Sequence, residues 1–247
     1  MARKARKKSE SGIYHIMLRG INRQQIFEDD EDCDRFLSTL KKYRDQCGYT
    51  IYAYCLMGNH IHILLKEGQE DLTLILKRIA GSYVYWYNLK YHRCGHLFQD
   101  RFKSEPVETD EYFLTVLRYI HQNPVKAGLC QYAEEYTYSS MREYLFGSVL
   151  TDPDFALSML PREQFIDYHC EENEDQCLES NETFRLTDED AKSLMRKIAQ
   201  CDNATQFQSL DRKMRNAYIQ KLYNNGMSVR QISRLTGISR RLVEECI

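Results

Sequence analysis

The stretch Gly58-Asn59-His60-Ile61-His62-Ile63-Leu64-Leu65 carries two imidazoles where an alternating apolar pattern would ordinarily hide apolar side chains. Successive residues of a strand point to opposite faces, so His60 and His62 share one side while Ile61 and Ile63 share the other. Two nitrogen donors at that spacing can chelate one divalent ion. A lone histidine on such a strand is ordinarily a satisfied packing residue; the pair gains meaning only from what lies downstream.

Downstream, residues 109–124 read as one helix. Thr109 or Asp110 is its N-cap, acidic residues fill its first turn, and Pro124 is expected to stop it. Phe113, Val116, Leu117 and Ile120 form an i, i+3, i+4, i+7 stripe for a core. Turning about 100° per residue places Tyr112, Tyr119 and Asn123 in one narrow sector beside that stripe, facing a cleft. Tyr119 and Asn123 stack on adjacent turns, so an amide oxygen can complete a His60/His62/Asn123 metal site beside a phenol hydroxyl: a nucleophile next to a Lewis acid. Taken singly, a helical tyrosine is packing and an asparagine before proline is a helix stop. The residue before proline is also pushed from helical dihedrals, which leaves Gln122 or His121 as substitute ligands, His121 being on the opposite flank of the stripe. Tyr112, one heptad earlier, is the alternative nucleophile. A mononuclear oxygenase site would add a carboxylate to the His-x-His pair, and none accompanies Asn123 in its sector.

These groups need a scaffold. Residues 12–19 and 49–55 read as strands, 60–66 as a strand hairpinned through Met57-Gly58-Asn59, and 103–107 as a fourth. Residues 30–47 and 72–91 read as helices, with Phe36, Leu37, Leu40 and Tyr43 turned inward on the first. The order strand, helix, strand, strand, helix, strand implies an α+β fold, a ferredoxin-like sandwich with an antiparallel sheet covered on one side.

The chain resembles the HUH single-tyrosine transposases, in particular the REP-associated tyrosine transposases and the insertion-sequence 200-like transposases. The resemblance rests on Tyr14-His15-Ile16-Met17-Leu18-Arg19-Gly20, Leu56-Met57-Gly58-Asn59-His60-Ile61-His62, Phe98-Gln99-Asp100-Arg101-Phe102 and Arg118-Tyr119-Ile120-His121-Gln122-Asn123-Pro124-Val125-Lys126-Ala127-Gly128-Leu129, and spans roughly residues 10 to 145. It implies cutting of single-stranded or hairpin DNA with no nucleotide cofactor. By resemblance, His60, His62 and Asn123 hold a divalent ion, and Tyr119 attacks the scissile phosphate, leaving a 5′-phosphotyrosyl link and a free 3′-hydroxyl. Some members of the family exchange helices in dimers and others act as monomers, so the resemblance leaves both a homodimer and a monomer open. Physical chemistry agrees: a phenol of reference pKa near ~10 is a poor nucleophile at neutral pH unless charge developing on phosphorus is stabilised, which a cation does. Imidazole and amide donors suit Mn²⁺, Co²⁺ or Ni²⁺ better than Mg²⁺, whereas the family resemblance implies Mg²⁺.

Composition sets the outer bounds. The 247 residues have a formal net charge of -2, unevenly spread: residues 151–200 carry 5 basic against 13 acidic side chains and residues 201–247 carry 8 against 4. Nine cysteines lie without a Cys-x-x-Cys pair, which argues against a zinc ribbon or a disulfide framework and for a reduced cytoplasmic protein. No stretch is long and apolar enough to span a bilayer, so no membrane partner is expected. Residues 1–10 read as a basic arm able to lie along phosphates.

Residues 11–150 are expected to form the catalytic domain, 151–200 an acidic connector, and 201–247 a second, all-α module. Arg19 and Arg23 flank a turn at Gly20, and Arg101 and Lys103 sit among His96, Phe98 and Phe102, mixing cations with rings able to stack on unpaired bases. In the C-terminal module, residues 210–225 read as a helix ending at Gly226, and residues 228–236 as another with a Ser228/Gln231 capping box. A turn at Gly237 then leads to a basic helix. That is the layout of a helix-turn-helix, in which Ser239, Arg240 and Arg241 reach bases or phosphates while Arg230 and Arg234 steady the backbone. The expected function is a metal-dependent transposase; the alternative is a non-cleaving regulator on the same fold that binds hairpin DNA or RNA.

Overall fold

The computed structural model describes residues 6–171, 173, 175, 177–178, 188–225 and 227–247. It divides into two compact units, residues 1–179 and 180–247.

The first unit is built on four antiparallel strands, β1 (Ile13–Arg19), β2 (Thr50–Met57), β3 (His60–Lys66) and β4 (Lys103–Pro106), in the order β2-β3-β1-β4. With α1 (Asp30–Cys47) between β1 and β2 and α2 (Leu72–Lys90) between β3 and β4, this is the split βαβ pattern of a ferredoxin-like sandwich. Gly58 and Asn59 alone link β2 to β3, so the hairpin register pairs Met57 with His60. Asp29 closes a capping box with Asp32 at the head of α1.

Alternation along the strands sorts the core into two clusters. Tyr14, Ile16 and Leu18 of β1 and Ile61, Ile63 and Leu65 of β3 pack with Phe36 and Leu40 of α1 and Ile75, Ile79 and Tyr83 of α2. The opposite face is not open to solvent, contrary to the expected one-sided sandwich. There α3 (Asp110–Lys126) lays Phe113, Val116, Leu117 and Ile120 over Ala53, Cys55, Met57 and Leu64. The reason is legible in β2 and β3: both are buried almost throughout, and a strand apolar on both faces needs two covers.

Thr109 caps α3 by accepting from Tyr112 N–H, as expected. Pro124 does not end the helix, which runs on to Lys126. A proline removes one i to i−4 bond, and within the final turn that loss is small; Ala127 N–H still donates to the Asn123 carbonyl at 3.0 Å and Leu129 N–H to that of Pro124 at 2.9 Å. Asn123 therefore keeps its place one turn beyond Tyr119.

The expected acidic connector is also corrected. After α4 (Met141–Phe146), residues 151–170 form α5 (Asp154–Met159) and α6 (Arg162–Cys170), whose Ala156 and Phe165 join the second core cluster. Phe165 stacks on Tyr144 with centroids 4.8 Å apart. Glu171 and Asp175, beyond α6, are tied to α3: Arg118 forks onto Asp175 at 2.9 and 3.2 Å and reaches Glu171 at 3.1 Å, its guanidinium lying 4.1 Å over the Tyr168 ring. Two carboxylates of the expected connector thus pair with Arg118, Asp175 in a part-buried contact, which sequence spacing across more than fifty residues cannot reveal.

The second unit comprises α7 (Asp188–Ala199), α8 (Ala204–Ser209), α9 (Arg212–Asn224), α10 (Val229–Thr236) and α11 (Arg240–Glu244) around Ala191, Met195, Phe207, Ile219, Leu222, Ile232 and Val243. So α7, also expected in the connector, belongs to this core. The Ser228/Gln231 capping box is present. Gly237 turns the chain between α10 and α11 at φ +69°, a left-handed conformation that favours glycine. Gly226 lies outside the described residues. No helix among the described residues is long and apolar enough to cross a membrane, and all nine cysteines are free thiols.

Candidate active site

The β1–β3 register puts Arg19 opposite His60 and Met17 opposite His62, all on the face covered by α3. His60 Nδ1–H donates to Asn59 Oδ1 at 2.7 Å. His62 Nδ1 lies 2.9 Å from Nε2 of His15, which stands on the same face of β1. Both rings of the His-x-His pair are therefore gripped by Nδ1, which leaves Nε2 as the nitrogen able to ligate. From α3, Asn123 hydrogen-bonds the His60 ring. Tyr119 meets both other imidazoles edge-on, with centroids 5.5 Å from His62 and 5.7 Å from His15, and the Lys126 ammonium stands 5.4 Å from its ring centroid.

Burial controls the protonation of this cluster. Desolvation, with Arg19 close by, brings His60 down to about 4. Desolvation alone brings His15 to about 3. His62 lies well below its ordinary value because burial is reinforced by His15, His60 and Arg19. All three rings are neutral at pH 7, the form with a lone pair to give. Among the described residues no three His, Cys, Asp or Glu side chains converge as a metal cluster; the set assembled here is two imidazoles and an amide, and its neutral, preoriented donors fit a divalent ion.

Residues 8–123 match the family model described as Transposase IS200 like. They form an IS200-like transposase domain. The matched segment begins before β1 and closes on Asn123, so it contains every group of the cluster except Lys126. A curated Haemophilus influenzae (strain ATCC 51907 / DSM 11121 / KW20 / Rd) protein bearing the name of a REP-associated tyrosine transposase is 22% identical over 143 residues, covering 53% of this chain and 81% of that one. A solved REP-associated tyrosine transposase bound to a REP hairpin superposes with a TM-score of 0.51 at 17% identity, over 62% of this chain and 94% of that chain, which is a likeness of fold.

Around this cluster, the residues expected from the sequence to meet DNA fall into two groups. Arg19 stands beside His60, and Arg23 lies on the adjoining turn, where its carbonyl accepts from Asn59 Nδ2 at 3.3 Å. Lys103 shares a cross-strand row with Met17 and His62 on the same face. Arg101 and Lys103 are exposed and line a groove of about 560 Å³ with Arg6, Lys7 and Glu105. Arg6 of the basic arm lies 3.7 Å over the Phe102 ring and donates to the Phe102 carbonyl at 3.0 Å, which folds it onto this groove. Phe98 and Phe102 themselves are half-buried against the first core cluster.

The alternatives to these residues are engaged elsewhere. His121 bonds His169 at 3.0 Å and Ser140 at 2.8 Å, and Gln122 donates to the His169 carbonyl at 2.6 Å. Tyr112 packs half-buried against the second core cluster, about 10 Å along the helix from Tyr119. In the second unit Arg230, Ser239, Arg240 and Arg241 are exposed. Ser239 Oγ caps α11 by accepting from Leu242 N–H at 3.4 Å, and Arg241 pairs with Glu245 at 3.0 Å.

His15 is the member of the cluster that sequence reading missed. The signal was present: in Ile13-Tyr14-His15-Ile16-Met17 a histidine occupies a position alternating with Ile13 and Met17, on a strand otherwise apolar on both faces. Which other ring it would meet depended on strand pairing.

Proposed function

We propose that the transposase domain cuts and rejoins single-stranded DNA through Tyr119. The phenolic oxygen attacks the scissile phosphorus, the bond from phosphorus to the 3′ oxygen breaks, and the chain keeps a 5′-phosphotyrosyl link while a 3′-hydroxyl is released. The same step run backwards on a new 3′-hydroxyl transfers the strand, and because bond energy is conserved in the phosphotyrosine no nucleotide cofactor is needed. The observation that carries this reading is the placement of Tyr119 edge-on to His62, with Asn123 on His60, in a single chain. Tyr119 can therefore act in cis, with no second copy required to complete the site.

His60, His62 and Asn123 would hold the divalent ion, Mg²⁺ or Mn²⁺. When bound, that ion supplies charge stabilisation for the phosphoryl oxygens. Arg19 and Lys103, on the same face, neutralise neighbouring phosphates, and Arg23 and Arg101 extend the cationic track. A hairpin is the substrate form favoured by the likeness to a hairpin-bound fold. The α10–Gly237–α11 segment acts as a helix-turn-helix, with Arg230, Arg240 and Arg241 on DNA and Ser239 holding the start of α11. The cytoplasm is the compartment that nine free thiols suit.

The test is incubation with a pool of labelled single-stranded hairpins and Mn²⁺, followed by denaturing electrophoresis. A protein-linked product is expected, lost on adding EDTA and reduced at least about 10-fold by His60→Ala. Hairpin binding with no adduct at any metal concentration would instead indicate a non-cleaving regulator. Ending the chain after Glu179, at the boundary between the two compact units, is expected to weaken affinity for a full site while leaving nicking of a short single-stranded substrate; equal affinity would remove the DNA-binding role of the second unit.

A further inference from the structure

His15 is fully buried and uses one ring nitrogen only: Nε2 meets His62 Nδ1 at 2.9 Å, while Nδ1 has no hydrogen-bond partner. A buried polar atom left unpaired destabilises a fold, and a valine or leucine would suit this strand position better. The compensation must therefore come from what the other nitrogen does. One hydrogen lies between His15 Nε2 and His62 Nδ1. If His15 supplies it, His62 carries its own proton on Nε2 and has no lone pair there to ligate. If His62 supplies it, Nε2 of His62 is bare and aimed by the bond.

We propose that His15 is the positioning residue of the site, accepting the Nδ1 proton of His62 and thereby fixing the tautomer and ring orientation in which His62 can ligate a divalent ion. It does for His62 what Asn59 does for His60, where an amide oxygen accepts the Nδ1 proton at 2.7 Å. The two ligands thus receive the same preparation from different elements, a turn residue in one case and a neighbouring strand in the other. His15 does not touch the ion in this arrangement. The inference rests on His62 being a ligand, as proposed above, and His60→Ala separates failure of that reading from failure of this one.

The experiment is calorimetric titration of the full-length protein with Mn²⁺ in the absence of DNA. His15→Leu, which removes the acceptor, is expected to raise the Mn²⁺ dissociation constant by about 10- to 100-fold. His15→Gln, whose amide oxygen can take the same proton, is expected to recover most of that loss. Wild-type Mn²⁺ affinity in His15→Leu, or equal weakening in His15→Leu and His15→Gln, overturns the proposal provided His60→Ala abolishes binding; unchanged affinity in His60→Ala as well overturns the site itself. Should His15→Leu fail to fold, ¹⁵N-detected histidine spectra of the metal-free wild type decide the matter. A proton on Nδ1 of His62 is expected, and a proton on Nε2 overturns the proposal.

Discussion

Tyr119→Phe is expected to abolish the covalent protein–DNA adduct, by on the order of four powers of ten or more, while hairpin affinity stays within about threefold. The substitution removes the attacking oxygen and keeps the ring. The Tyr119 ring is buried and packs edge-on against two imidazoles, contacts that phenylalanine reproduces. The neighbouring cation, Lys126, lies over the ring and keeps its separate bond to Asn173 Oδ1 at 3.2 Å. Denaturing electrophoresis of the Mn²⁺ reaction reads the adduct, and a filter or mobility assay reads binding. Tyr112→Phe is the matched control and is expected to leave the adduct intact. An adduct undiminished in Tyr119→Phe but lost in Tyr112→Phe would move the nucleophile two turns toward the head of α3.

Mild acid is expected to unfold the first compact unit near pH 5, in metal-free buffer. Four histidines are buried in it and His60 is half-buried, and desolvation is the main cause of every shift: His15 falls to about 3, His60 and His169 to about 4, and His62 and His121 well below their ordinary value. The His121–His169 pair shows why protons are refused. His169 Nδ1–H donates to the Phe165 carbonyl at 2.8 Å, so its Nε2 must accept from His121 Nδ1–H. His121 Nε2 in turn lies 2.8 Å from Ser140 Oγ. A further proton on His169 Nε2 would set donor against donor at the contact with His121. The folded values lie below the unfolded value of about 6.5, so the unfolded chain binds more protons as pH falls. Stability is then full above about 6.5 and is lost progressively down toward 4. Each such histidine contributes a slope of about 1.4 kcal/mol per pH unit inside that window. Five together approach about 7 kcal/mol per unit, comparable with the entire stability of a small domain. Urea midpoints followed by circular dichroism between pH 7 and pH 4.5 test this; a midpoint unchanged at pH 5 would show that the rings are not held neutral.

Much of the fold was legible because its signals are local. The alternation in Gly58–Leu65 and the 3.6-residue stripe in α3 each reside within about fifteen consecutive residues, and so do the caps at Thr109 and Ser228. The structure reproduces those elements within a residue or two. Pro124 misled the reading of the helix end because local rules weigh a proline against an average helix; here the lost bond falls in the last turn, and the apolar stripe behind it is already buried. Residues 151–178 misled it more, since short charged helices are indistinguishable from a solvated connector until Phe165 finds Tyr144 and Arg118 finds Asp175.

The sequence by itself determined which groups can do chemistry and on which face of its own element each one lies: His60 with His62 on one side of a strand, Tyr119 with Asn123 on one side of a helix. Backbone periodicity settles those matters, and periodicity is written in the order of residues. Only the tertiary structure decided that the two faces meet and that the meeting occurs within one chain. It also decided that a third imidazole from β1 grips His62 from behind and that all these rings are neutral. Strand order, register and burial bring together residues more than forty positions apart, and no local pattern encodes the distance between them.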